Sequence, residues 1–262
     1  MNAEDIPVLL IPVTFFAMLG TESLFGTGRP WPRIPWWRVQ GVVFFVMVGV
    51  INAVLPLLVP PEIAKHHLLD ASRLGLVGSI VAGYLVLSLT TAVVHRAYHR
   101  YPLLWRVFHQ LHHAPQRLDT AGAVVFTPQE MIVNVSLTLL VLVFFLGLSP
   151  LAAAITGYIA AFYSFFQHFN VHTPRWLGVL IQRPESHGVH HRRGFHAYNY
   201  SDLPIWDMLW GTFRNPQQFN GEVGFEEAES RAIGAMLLVR DVNAATLGAG
   251  SRGRTDPASN PA

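Results

Sequence analysis

The segment Met131–Pro174 reads MIVNVSLTLLVLVFFLGLSPLAAAITGYIAAFYSFFQHFNVHTP and contains no Asp, Glu, Lys or Arg. A helix needs about 20 apolar residues to cross the ~30 Å hydrocarbon core of a bilayer, so this run has room for two crossings. Ser149-Pro150, which follows Gly147, interrupts the run near its middle. The segment therefore predicts a membrane hairpin with helices at about Met131–Leu148 and Leu151–Phe166.

Three shorter runs without charged residues precede this hairpin, at Ile6–Thr21, Val39–Pro61 and Leu74–Val94. The second and third have room for one span each, whereas the first reaches only about 24 Å at ~1.5 Å per residue. Charged residues make up 13% of the 262 residues, against roughly 25% in ordinary soluble domains. We therefore expect an all-α, polytopic integral membrane bundle of four to five spans and exclude an ordinary cytosolic enzyme.

Arginine-rich segments indicate the orientation of these spans. Gly28–Arg38 contains three Pro, three Trp and three Arg, which is typical of a cytoplasmic interfacial loop. The next arginine-rich segment, His95–Arg100, follows the third span and should lie on the same face. One Lys against 17 Arg is typical of a GC-rich genome, so we expect a bacterial inner-membrane protein. The net charge of +2 gives no reason to expect nucleic-acid binding.

Histidine is abundant in this chain, whereas cysteine is absent. The 13 His and zero Cys exclude disulfide scaffolds, thiolate nucleophiles and iron–sulfur clusters. Most of the histidines fall in four short clusters with helical spacing. These clusters are His95-x3-His99, His109-x2-His112-His113, His168-x3-His172 and His187-x2-His190-His191.

Each cluster can present its imidazoles on one face of a helix, because residues at i, i+3 and i+4 lie side by side. His95 follows the third span and His168 closes the fifth, so the predicted orientation places both at the cytoplasmic boundary. Ten imidazoles give five ligands to each of two metals. Zinc usually takes four ligands, whereas iron with five imidazoles keeps a sixth position open. We therefore expect a dimetal site in a helical cap on the cytoplasmic side.

These motifs resemble the fatty acid hydroxylase / sterol desaturase superfamily of membrane-bound, histidine-rich di-iron enzymes. The resemblance covers about Thr91–Pro216. Besides the histidine clusters it includes Gly147-Leu-Ser-Pro150, Pro184-Glu-Ser-His187, Asn199-Tyr200 and Leu203-Pro-Ile-Trp-Asp-Met-Leu-Trp-Gly-Thr-Phe213. One departure is visible: many relatives carry His-Pro after the second cluster, where this chain has Thr127-Pro128-Gln129-Glu130.

The resemblance implies that the ten clustered histidines hold two iron ions, with zinc as a possible occupant in purified protein. It also implies an O2-dependent hydroxylation or desaturation of a lipid C–H bond in lipid biosynthesis. The electron donor should be a separate protein, because the chain has neither a dinucleotide fingerprint nor Cys. Three further residues are candidates for orienting the ligands through hydrogen bonds, a role that metal-bound histidines usually require of a neighbour. They are Asp202, Asp207 and His196.

These assignments predict four regions along the chain. Residues 1–73 form the anchor spans and an outer loop, and residues 74–216 form the catalytic domain. Residues 217–247 contain an amphipathic interfacial helix at about Glu222–Val239, and residues 248–262 form a disordered tail.

A non-redox membrane metal-binding protein is the alternative, either a zinc hydrolase or a metal transporter. The chain lacks His-Glu-x-x-His, and its predicted spans lack Asp and Glu apart from Glu22, which disfavours both. The sequence leaves open whether the lipid is a sterol, a fatty acyl chain or another lipid, and it leaves the oligomeric state open.

Overall fold

The computed structural model of the protein describes residues 2–26, 28–195 and 197–243, and it is helical apart from one isolated antiparallel bridge between Arg192 and Val223. The predicted all-α fold is confirmed. His196 and the tail 248–262 lie outside the described residues. The longer helices and those that carry histidines are α1 Asp5–Phe25, α2 Trp37–Val54, α3 Gly75–Arg100, α4 Gln110–His113, α5 Pro128–Leu139, α6 Pro150–His168, α7 Pro184–His190 and α8 Pro204–Trp210.

Shorter elements join these helices. Two π-helical turns occur, one leading into α4 and one continuing α5, at Trp105–His109 and Leu140–Phe145. Short α-helices lie at Pro61–Ala64, Pro102–Leu104, Glu227–Ser230 and Ile233–Leu237. Single 3-10 turns lie at Leu55–Leu58, Ala71–Leu74, Gly122–Val124 and Arg175–Val179.

Four described helical segments are long and apolar enough to cross a membrane, so the chain is an integral membrane protein. The helix α6, which corresponds to the predicted fifth span, is not among the four, although its 19 residues reach about 28 Å. The four segments are Asp5–Phe25, Trp37–Leu58, Ala71–Arg100 and Pro128–Phe145.

Proline and a capping hydroxyl begin both helices of the hairpin. Thr127 and Ser149 accept hydrogen bonds from the backbone N–H groups of Glu130 and Ala152, and Pro occupies the first helical position in both cases. Proline fits there because the N–H that it lacks has no partner within the helix. The predicted break at Ser149-Pro150 therefore coincides with the start of α6.

Hydrogen bonds between loops show the direction in which each helix runs. At one end of the bundle, Leu68 N–H and Ala71 N–H donate to the carbonyls of Phe144 and Leu146. The loop before α3 and the loop before α6 are thus together at this end. All the histidine clusters lie at the other end, which we call the histidine end.

The segment 222–239 differs from its prediction. Two short helices, Glu227–Ser230 and Ile233–Leu237, replace the continuous amphipathic helix expected at Glu222–Val239. Met236 is buried in the protein, and Ser230 Oγ donates to the carbonyl of Ala114. The segment lies across α4 as a strap, because tertiary contacts outweigh its local helical pattern.

Candidate metal centre

Nine of the ten predicted ligands converge at the histidine end in two groups. Within each group, the candidate ligand nitrogens all lie within 4.8 Å of one another. The first group contains His95, His99, His109, His113 and His190, and the second contains His112, His168, His187 and His191.

The two groups adjoin each other. The ring of His113, in the first group, stacks on that of His191, in the second, with centroids 4.1 Å apart. The two groups therefore form one cluster that could hold two neighbouring metal ions.

The two His-x2-His-His motifs are shared between the groups in a reciprocal way. The i and i+4 histidines of the earlier motif, His109 and His113, enter the first group, together with His190 of the later motif. The i and i+4 pair of the later motif enters the second group, together with His112. Two adjacent histidines on a helix diverge by about 100°, so each motif faces both groups at once.

The earlier motif begins in a π-helical turn, Trp105–His109, and continues into α4. Such single π-turns are frequent at functional sites because they redirect side chains within a helix. Here the turn ends at His109, whose ring is buried and directed towards His95 on α3.

Opposed lone pairs in the first group create a need for a cation. His95 Nδ1 lies 2.7 Å from the carbonyl of Tyr200, and His109 Nδ1 lies 2.6 Å from a carboxylate oxygen of Glu130. Each Nδ1 donates its proton there, so in the neutral ring Nε2 carries a lone pair. These two Nε2 atoms are 2.8 Å apart. Nitrogens about 2.1 Å from a shared ion lie about 3.0–3.4 Å apart. The observed 2.8 Å is slightly shorter, and a cation bound by both nitrogens would offset the repulsion between their lone pairs.

The second group repeats this arrangement. His168 Nδ1 donates to the carbonyl of Ser164 at 2.8 Å, which leaves a lone pair on Nε2. That Nε2 lies 3.3 Å from Nε2 of His112 and 3.2 Å from Nε2 of His187, and the latter lies 3.0 Å from Nε2 of His191. The spacing fits ligands around one ion, so the donor set is suitable for a metal in each group.

Burial keeps the imidazoles available as ligands. Loss of hydration lowers the pKa well below the usual 6.5 for the buried rings of the two His-x2-His-His motifs, and neighbouring imidazoles lower the pKa further. Metal binding requires neutral imidazole, so these groups are in the binding form at neutral pH. The rings for which the pKa is lowered in this way are His109, His112, His113, His187 and His191.

The structure does not bring His172 into either group. Its predicted position on the same helical face as His168 requires the helix to continue, but α6 ends at His168. The His172 side chain is 57% exposed, and its Nδ1 lies 3.8 Å from a carboxylate oxygen of Glu185. Glu185 is itself bound to Thr173 and Arg183, so its carboxylate anchors the segment that follows α6.

Glu130 is a partner of the metal centre that lies near the ligands in sequence but was not among the three predicted hydrogen-bonding residues. Its side chain is buried, and its carboxylate accepts the hydrogen bond from His109 at 2.6 Å. One feature of the sequence points to this residue: Glu130 lies in Thr127-Pro128-Gln129-Glu130, where this chain departs from many relatives. A hydrogen-bonded carboxylate fixes the tautomer of a ligating histidine and raises its basicity.

The two aspartates predicted to bind ligand imidazoles act elsewhere. The carboxylate of Asp207 accepts hydrogen bonds from the backbone N–H groups of Tyr200 and Ser201 and from the hydroxyl of Thr212. It thereby fixes the loop whose Tyr200 carbonyl binds His95. Asp202 is half-buried in the same loop, and loss of hydration raises its pKa to about 6.

Comparison with known proteins identifies the family. The sequence model of the fatty acid hydroxylase family matches residues 80–212, which are 133 of the 262 residues. Ornithine lipid hydroxylase OlsE of Rhizobium tropici is 25% identical over 234 residues, or 81% of this chain and 70% of that protein.

Fatty acid hydroxylase vlmA of a Lecanicillium species is 30% identical over 174 residues, or 59% of this chain and 45% of that protein. No solved structure matches the chain significantly. The resemblance inferred from the histidine motifs is therefore confirmed by sequence similarity over more than half of the residues. The chain belongs to the fatty acid hydroxylase family.

Proposed function

We propose that this protein is an O2-dependent di-iron hydroxylase that converts a C–H bond of a membrane lipid to an alcohol. Both relatives named above are hydroxylases, which supports hydroxylation over desaturation and an acyl lipid over a sterol. The balanced reaction takes one O2, two electrons and two protons, and yields the alcohol and water. The electrons come from a separate donor protein.

The observation that carries this proposal is the pair of adjoining imidazole groups, in which Nε2 lone pairs face each other at the histidine end. The first group offers five imidazoles, one more than zinc usually takes, whereas iron accepts five and keeps a sixth position. When bound, two irons would supply the activation of O2 and the oxidation of the C–H bond.

The chain's own residues have two tasks in this reaction. Glu130 and the Tyr200 carbonyl orient His109 and His95 and hold their Nδ1 protons, so that each Nε2 is free to bind metal. The surrounding buried side chains exclude water from the cluster.

We further propose an arrangement in the cell. Residues 74–216 form the catalytic part and residues 1–73 anchor it, in the inner membrane of a bacterium. The metal centre faces the cytoplasm, where reduced donor proteins are available.

Metal analysis and lipid mass spectrometry of matched histidine variants test this function. The wild-type protein, purified without oxygen, should contain about two irons per chain, and expressing cells should accumulate a lipid 16 mass units heavier. His112→Ala should lose the product and metal, because His112 belongs to the second group. His172→Ala is the matched control and should retain both, because this side chain is outside the groups and largely exposed.

Other outcomes separate the competing functions. A lipid lighter by two mass units would indicate desaturation. Zinc alone in anaerobically purified protein, together with unchanged lipids, would favour a non-redox protein and contradict the proposal. Loss of metal in His172→Ala would return this residue to the ligand set.

A further inference from the structure

A cleft lined by arginines lies outside the metal centre, at the start of α2. Its larger part is a cavity of about 510 Å³ against the first turn of this helix, and a cavity of about 340 Å³ adjoins it. Arg33, Arg38 and Arg117 line both parts, which we call the arginine cleft.

The acidic groups of the arginine cleft already have partners within the protein. Asp119 accepts a hydrogen bond from Trp37 Nε1 at 2.8 Å and pairs with Arg117 at 2.5 Å. Glu22 accepts hydrogen bonds from the backbone N–H groups of Thr120 and Asn170. Both carboxylates are therefore held by hydrogen bonds within the protein, and neither is paired with Arg33 or Arg38.

The side chains of Arg33 and Arg38 are exposed, and neither makes a hydrogen bond or an ion pair with another described residue. Trp36 lies between them in sequence, is 78% exposed and also lines the larger cavity. Two unpaired guanidinium groups beside an exposed indole form a surface that is cationic and apolar at once. Guanidinium matches the geometry of a phosphate, and Trp is favoured at the level of lipid headgroups.

The position of the arginine cleft indicates which phosphate it would meet. It lies at the point where α2 begins, and α2 exposes Val43, Val46 and Val50 by 52–55% each along the apolar span that follows. A group bound at the start of this span is at the level of the phospholipid phosphates, and the exposed valines below it would contact the acyl chains.

The backbone of the cleft is held in place before any ligand arrives. Arg29 N–H donates to Asn170 Oδ1, and Asn170 Nδ2 donates to the Arg29 carbonyl, both at 2.9 Å. The segment that carries Arg33 is thereby tied to the end of α6. Trp36 adopts a left-handed backbone conformation with φ of 58°, which is uncommon for a bulky non-glycine residue.

We propose that the arginine cleft binds the phosphate of an anionic phospholipid, with Arg33 and Arg38 in contact with the phosphate and Trp36 beside the glycerol region. The site is separate from the metal centre and does not depend on the proposed hydroxylase activity. Zwitterionic phospholipids should bind more weakly, because their positive headgroup would lie against the arginines.

Lipid titration of the full chain in detergent tests the proposal. The probes are phosphatidylglycerol and phosphatidylcholine with identical acyl chains, and native mass spectrometry measures bound lipid. The double variant Arg33→Gln/Arg38→Gln should bind phosphatidylglycerol at least about tenfold more weakly than the wild type. The matched control is Arg73→Gln/Arg240→Gln, which removes the same charge from exposed side chains outside the cleft.

The controls decide among the outcomes. A preference for phosphatidylglycerol that only the cleft variant loses supports the proposal. An equal loss in both double variants, or no loss in either, overturns it, because the effect would then be general charge or absent. Inorganic phosphate at millimolar concentration should not displace the lipid; if it does, the cleft is a site for soluble phosphate and the assignment to a lipid is wrong.

Discussion

Glu130 and His109 show how one buried hydrogen bond can set the properties of a ligand. We predict that Glu130→Gln weakens iron retention by about tenfold, since a neutral amide polarises the imidazole less than a carboxylate does. Iron loss to a chelator, followed over time, measures the effect. The exposed Glu227→Gln serves as a control and should lose iron at the wild-type rate. Equal retention in both variants, with unchanged unfolding temperatures, would show that Glu130 does not support the metal.

Asp202 carries a charge that opposes folding at neutral pH. Because loss of hydration raises its pKa to about 6 from the usual 3.8, the folded state keeps a proton between these values that the unfolded chain releases. The penalty for an ionised Asp202 is therefore fully present above pH 6 and fades as the pH falls towards 4. We predict that Asp202→Asn raises the unfolding temperature most at pH 8 and progressively less below pH 6. The exposed Asp241→Asn should follow the wild type throughout; a pH-independent gain for Asp202→Asn would contradict the prediction.

For the histidines that lie on helices, the spacing in the sequence correctly predicted that their side chains share one direction. The spacing in the two His-x2-His-His motifs is a property of the helix itself, so their common direction could be read from the sequence. The same argument does not hold for His172, because α6 ends at His168. The position at which this helix ends depends on contacts of the following segment with Glu185. The sequence could not distinguish Glu130 from a surface charge for a related reason, since its contact with His109 joins residues on two separate elements.

At the scale of elements, the strap over α4 depends on a glycine. Gly224 has φ of +79°, and a Cβ there would collide with the Pro115 carbonyl. The adjacent N–H of Phe225 donates to Ala114, so displacement of Gly224 would detach the strap beside the first His-x2-His-His motif. We predict that Gly224→Ala destabilises the protein by about 2 kcal/mol or more.

The measurement is the unfolding temperature in detergent, with Gly234→Ala as the matched control. A Cβ at Gly234 would meet no atom within 4 Å, and its backbone lies in a short helix, so alanine there should be neutral or slightly stabilising. A similar effect of both substitutions would mean that the left-handed backbone at Gly224 is not what holds the strap.

At the scale of the whole molecule, α6 runs between the same two ends of the bundle as the four candidate spans, although it is not one of them. It starts beside the loop that precedes α3, as the bonds of residues 68–71 with residues 144–146 show, and it ends among the histidines. It therefore traverses the same distance as its neighbours. Polar side chains of α6 are sheltered: Thr156 is buried, and the Tyr158 hydroxyl lies 3.1 Å from that of Thr14 on α1. We therefore predict that α6 crosses the membrane as a fifth span, with its polar side chains sheltered by the other helices.

A fifth crossing by α6 would place the histidine end and the loops before α3 and α6 on opposite sides of the membrane, and this can be measured. The chain has no Cys, so single cysteines can be introduced without background. Among the residues that the structure describes, Lys65 and Arg73 are the Lys and Arg side chains at the end away from the histidines, whereas the arginines of residues 29–38 and 96–117 lie at the histidine end, which the positive-inside rule assigns to the cytoplasm. We predict that Ser149→Cys reacts with an impermeant maleimide in intact spheroplasts, whereas Glu227→Cys reacts only after permeabilisation.

Lys65→Cys, in the other outer loop, is the matched control for Ser149→Cys. Labelling of Glu227→Cys alone would reverse the orientation, and labelling of Ser149→Cys and Glu227→Cys from the same side would remove α6 as a crossing.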